Sequence, residues 1–336
     1  MKMASYQKRT EDLQRLKTRE LIFQDVNGDY PIEGSVPYFV DASGTFGTST
    51  VTIDGSGNLV MSGDLDVSGT ATLGDLRTRA TKVHIGLGAG ATGQGSSSVA
   101  IGRFAGNTGQ KSYAVAIGDN AGFTDQSSNA IAIGLNAGKT NQADSGIAIG
   151  WFAGTTNQAE SSIAIGSEAG LTGQGSYAIA IGYQAGNVGQ SKNALAFGYG
   201  AGQASQGDQA VAFGNDAGNN GQGTDAVAIG VLAGHGGQGS AACAIGGNAG
   251  NVSQGIGAVA LGVQSGQNNQ GNFSVAIGAL AGKVNQGANS IVLNASGVAF
   301  SGATGGFFVK PVATRASAAG ASALYIDNVT GEIFRI

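Results

Sequence analysis

His84 and His235 are the two histidines of the chain and Cys243 is its one cysteine. The histidines fall in different registers of a repeat and far apart along it, so no histidine pair serves catalysis or metal binding within one chain. An internal disulfide and a cysteine metal cluster are excluded by the single thiol. Two placed carboxylates suffice for glycoside hydrolysis, but Glu160, Glu168, Asp208 and Asp216 are scattered and no pair recurs. Gly86-Leu87-Gly88-Ala89-Gly90 has the spacing of a phosphate-cradling loop, yet the same glycines return in every repeat, which empties the motif of meaning. No catalytic residue, cofactor site or metal site is therefore expected. The side chains left for binding are aromatic. Trp151, Phe152, Tyr183 and Tyr199 cluster in the middle repeats: packing against a neighbouring chain is the first reading of them, and receptor contact the other, since rings on a rigid support stack on sugars or anchor a protein partner.

What must position them is a sixteen-residue repeat. A motif [VIL]-x-[ILF]-G closes at Gly86, Gly102, Gly118 and so on to Gly278, every sixteen residues without insertion, with Asn294 at the next equivalent position. An Ala-Gly pair follows each motif, with Ser265 the single replacement of the Ala. Four residues later comes a glutamine: Gln94, Gln110, Gln126, Gln142, Gln158, Gln174, Gln190, Gln206, Gln222, Gln238, Gln254, Gln270 and Gln286. Identical registers of this kind predict an all-β fold, a parallel β-solenoid or β-roll of about thirteen sixteen-residue coils. Val115-Ala116-Ile117 alternates as a strand does, and glycines at this density would break helices. Each coil is expected to hold a strand, a bend, a second strand around Ala-Gly and a turn near the glutamine.

Alternation leaves two columns to assign. The expectation is that the Val/Ile column fills the core. Cys243, in a Val position, is then a buried small hydrophobe. The opposite column, Ala100, Ala116, Ala132, Ala148, Ala164, Ala180, Ala196, Ala212 and Ala228, is then a flat face for packing subunits, with His84 in its first position. The glutamines are expected to form a structural ladder, stacking their amides in register or bonding turn backbone.

The chain divides into residues 1–24, a short helix carrying Leu13, Leu16 and Leu21; 25–81, small β elements; 82–297, the solenoid; and 298–336, a C-terminal β cap with a hairpin turn at Asp327–Gly331. In the first segment Lys2, Lys8, Arg9, Arg15, Lys17 and Arg19 outnumber Glu11, Asp12 and Glu20, so it reads as an attachment segment. The net charge of −4 gives no basis for nucleic-acid binding. No run of about eighteen apolar residues predicts a membrane span, and the first residues do not read as a secretory signal.

Ser98-Val99-Ala100-Ile101-Gly102 resembles the head repeats of trimeric autotransporter adhesins, whose heads are trimers of parallel β-rolls with a slightly shorter repeat. The flanks resemble viral fibres. Gly57–Gly69 is similar to connecting segments of phage tail fibres, and Phe307–Val312 with Leu324–Asp327 and Thr330–Ile333 to segments that precede the chaperone domain of phage and large-virus fibres. The resemblance implies a homotrimeric virion fibre or spike, folded in a host cytoplasm and displayed on the virion surface. It would bind other virion proteins through the N-terminal segment and a host glycan or receptor along the rod. A bacterial surface adhesin, on the cell surface, is the alternative. An ice-binding solenoid is another, suggested by the Thr108, Thr124, Thr140, Thr156 and Thr172 column, which fails at Val188, Ala204 and Asn220.

Overall fold

The computed structural model describes residues 82–312, and outside them the strands Val51–Ile53, Leu59–Met61, Leu324–Ile326 and Ile333–Arg335. The chain forms two units, residues 1–77 and 78–336. In the first, Val51–Ile53 pairs antiparallel with Leu59–Met61. The helix expected in residues 1–24 and the turn at Asp327–Gly331 lie outside the described residues, while the strands flanking that turn pair antiparallel, Ile326 against Ile333.

The second unit is a parallel β-solenoid of about fourteen sixteen-residue coils built from two sheets. The longer sheet has 15 strands, the shorter 10. Successive coils pair in strict register, Ile163 with Ile179, Ala164 with Ala180 and Gln158 with Gln174. In a representative coil, Val115–Ile117 belongs to the long sheet and Thr124–Gln126 to the short one. The Ala-Gly pair forms the bend between them, so the second strand follows that pair instead of containing it.

Two glycines per coil set this path. Gly118 has φ +128°, and a Cβ there would lie 2.7 Å from the carbonyl oxygen of Gly134 in the next coil. Gly122, at φ +53°, would place a Cβ 2.6 Å from Gln126 Oε1 and 3.3 Å from Ala116 Cβ. The first lets coils stack; the second lets the two sheets close on each other.

That closeness reverses the expected inside and outside. Ala100, Ala116, Ala132, Ala148, Ala164, Ala180, Ala196, Ala212 and Ala228 are fully buried and form one continuous core with the bend alanines Ala105, Ala121 and their equivalents. They are not a subunit face. The space between bend and strand accepts a methyl group and nothing larger, because each coil also holds an inward glutamine. The Val/Ile column faces outward: from Val115–Ile117 to Val275–Ile277 each long-sheet strand reads half-buried, buried, half-buried or exposed. Cys243 accordingly lies in that outer column, partly exposed, and not in the core. His84, in the first alanine position, is exposed at the solenoid's end.

The long sheet runs past residue 297: Phe307–Lys310 pairs parallel with Ile291–Asn294. Here Val292 and Phe308 take the inward positions, joined by Phe300, whose ring meets Phe308 edge-on at 6.2 Å. Larger side chains fill the interior where the repeat's bend and glutamine stop, which closes that end with apolar bulk.

Candidate functional site

The inner glutamine ladder is the most ordered polar feature. Gln126 Nε2 donates to Val115 O at 2.8 Å, to Ala130 O at 3.2 Å and to Gln142 Oε1 at 3.2 Å. The same pattern repeats from Gln110 to Gln254; Gln94 bonds Val83 O and Gln110 Oε1 alone, and Gln270 bonds Val259 O and Ser274 O without reaching Gln286. Each amide thus ties its own coil closed across both sheets and joins the next coil. The oxygens of Gln94 and Gln286, at or near the ladder's two ends, have no donor. Both expected bonding modes therefore occur together, and the glutamine is an interior strand residue.

The outer face of the long sheet is an apolar band. Its first column runs Val99, Val115, Ile131, Ile147, Ile163, Ile179, Leu195, Val211, Val227, Cys243, Val259 and Val275, with Ile or its equivalents two residues on. In the second column Phe197 and Phe213 replace isoleucine; they are 42% and 48% exposed, and their rings stack at 4.9 Å with planes 5° apart. Burial raises the pKa of the Cys243 thiol above its ordinary value.

Next to this band, at the bends, stand the four aromatic residues expected as receptor contacts. Trp151 meets Phe152 edge-on at 4.6 Å, and Tyr183 stacks on Tyr199 at 5.1 Å. Trp151, Tyr183 and Tyr199 are 48%, 42% and 55% exposed. They form two separate pairs; Trp151, Tyr183 and Tyr199 share one column, with Ser167 between the pairs, and Phe152 stands in the adjoining column.

The short sheet's outer face is mostly polar and low, interrupted by the exposed Val188 and Val252. Its exposed column reads Asp125, Asn141, Asn157, Gly173, Gly189 and Ser205 in successive coils. Asn141 Nδ2 donates to Asn157 Oδ1 at 3.0 Å. Where Gly221, Gly237 and Gly239 lower the surface, an open groove of about 570 Å³ forms, bordered by Ser253, Asn269 and Asn272. The threonine column stays in register from Thr108 to Thr172 and meets Val188 next.

The carboxylates stay apart: Glu168 accepts from Gln184 at 2.8 Å, Asp208 from the Lys192 backbone at 3.2 Å and Asp216 from Asn219 at 3.0 Å. Among the described residues no group of three His, Cys, Asp or Glu side chains is placed to hold a metal ion, and no helix is long and apolar enough to cross a membrane.

The apolar band escaped sequence reasoning because V-A-I alternation suits either orientation. The signal that decides it is the glutamine column: a long polar side chain in every coil, two small columns away, leaves the interior room for alanine alone. Comparison of the chain with protein-family models, curated proteins and solved structures found no match.

Proposed function

We propose that the protein is a structural rod of a virion fibre or spike, three copies packed in parallel through the Val/Ile/Phe face of the long sheet, serving attachment or spacing and doing no catalysis. The observation that carries this reading is the unbroken apolar band. Coils about 4.8 Å apart extend it for roughly 65 Å. At a width near 10 Å it covers on the order of 650 Å², at the upper end of the roughly 300–600 Å² of the largest patch on a typical monomer, which is often functional. A partner must offer an apolar stripe of the same length and step, and a second copy of this chain does so automatically. The number three follows the resemblance of the repeat to trimeric adhesin heads.

In this reading Trp151, Phe152, Tyr183 and Tyr199 flank the interface and remain available to a host glycan or receptor, and residues 1–24 join the rod to other virion proteins. The same rod would serve a bacterial adhesin head, with the assembly unchanged.

Light scattering on the purified protein is the test. The expected mass is near 99 kDa, three times the chain's 33.0 kDa. Ile149→Asp with Ile165→Asp, both on the band, should give single folded chains. A wild-type mass of one chain, or a trimer indifferent to both aspartates, overturns the assembly.

A further inference from the structure

A rod of near-identical coils has a register problem. Four consecutive long-sheet strands share the sequence Ile-Ala-Ile, at 131–133, 147–149, 163–165 and 179–181. Two copies packed along that stretch lose almost nothing by slipping one coil, about 4.8 Å, because every side chain meets an identical one. Only an irregularity on the packed face distinguishes one alignment from the next. The largest is Leu195-Ala196-Phe197 followed by Val211-Ala212-Phe213.

We propose that the stacked Phe197–Phe213 pair is the register lock of the assembly, a specificity device that aligns copies coil for coil. This inference rests on the proposed packing of copies through the long sheet. Three features support it. The rings lie in the outward column and are exposed in the single chain. They already stack face to face, so their orientation is fixed before copies meet. Their neighbours in the column, Ile181 and Ile229, are smaller. In register, the rings of all copies meet at one level as a belt. A slip of one coil leaves one ring-to-ring layer, Phe213 of one copy against Phe197 of another, and sets Phe197 of the first against Ile181 and its Ile229 against Phe213, two mismatched layers in place of matched ones. A slip of two coils removes every ring-to-ring contact.

Pulsed dipolar EPR reads this directly. Cys243→Ser removes the native thiol, and Thr224→Cys places a nitroxide at an exposed turn outside the band. The expected result is one narrow distance distribution in the otherwise unchanged chain, at the mass of the trimer. Phe197→Ile with Phe213→Ile, which makes these strands like their neighbours, should keep the mass and broaden the distribution by offsets in steps of about 4.8 Å. Moving the belt, by adding Ile149→Phe and Ile165→Phe to that variant, should narrow it again. A distribution that stays narrow without the two Phe residues, at unchanged mass, sinks the lock and leaves the assembly standing. A mass of one chain sinks both.

Discussion

The two sheets of the solenoid are built from one repeat and share one interior, yet their outer faces are opposites. From Val115–Ile117 to Val275–Ile277 the long sheet turns Val, Ile, Leu and Phe outward, with Cys243 among them; the middle positions of the short sheet's 10 strands turn Asp, Asn, Gly and Ser outward. The interior between them is alanine, glycine and glutamine. In most two-sheet folds the bulky aliphatic residues lie between the sheets. Here they lie outside, in an unbroken band on the long sheet and only singly, at Val188 and Val252, on the short one. The chain holds its own fold by close backbone packing and amide hydrogen bonds, and leaves its aliphatic surface partly exposed. Inside and outside therefore respond differently to the same substitution.

The sharpest test sets neighbours against each other. Ala164→Asp puts a carboxylate into an interior where even the missing Cβ of Gly170 would lie 3.1 Å from Ala164 Cβ. With no partner and no room, the loss should be about 4 kcal/mol or more, enough to abolish cooperative unfolding of the middle coils. Ile165→Asp, one residue on, should leave the single chain within about 1 kcal/mol of wild type, because this side chain is already half in water. Urea denaturation below the assembly concentration separates them. Equal losses at the two positions would erase the contrast between the faces.

The second contrast is polar. Gln174→Ala leaves Ile163 O, Ala178 O and Gln190 Oε1 without their amide donor, and Gln158 Nε2 without one of its acceptors. Buried groups left unpaired cost about 1–3 kcal/mol each, partly relieved where backbone carbonyls keep a second partner, so a total of roughly 2–4 kcal/mol is expected from the denaturation midpoint. Asn157→Gly, at φ +55° where glycine fits without strain, removes a hydrogen bond of the outer column, Asn141 to Asn157, and should change stability by less than about 0.5 kcal/mol.

Much of this fold was legible in residue spacing, and the reason is mechanical. Parallel coils in register demand one repeat length, and Gly118 with its equivalents announces it, since a side chain there would strike the next coil. The glutamine ladder was legible for the same reason. What alternation could not decide was the facing of Val115-Ala116-Ile117, because a strand presents two sides and the usual preference puts the larger apolar side inward. That preference fails here because Gln126 and Gly122 leave the interior no depth. The candidate contacts Trp151, Tyr183 and Tyr199 were legible as irregularities within a regular column. Phe197 and Phe213, irregular in the same way, were hidden by the assignment of their column to the core.

The smallest expected effect falls on Cys243, which stands at the boundary between the two environments. Its place in the outer column leaves it partly open to water, while burial beside the sheet raises its pKa. A raised pKa means that folding favours the neutral thiol. Its contribution to stability is complete below the ordinary thiol pKa and diminishes as the pH climbs through the folded value. Alkylation requires the thiolate, so at pH 8 iodoacetamide should react with the folded single chain several-fold more slowly than with the urea-unfolded chain, by stopped labelling and mass spectrometry. In the proposed assembly the band is covered, and the rate should fall again at concentrations where the trimer forms. A rate independent of protein concentration would place Cys243, and with it this stretch of the long sheet, outside any interface between copies.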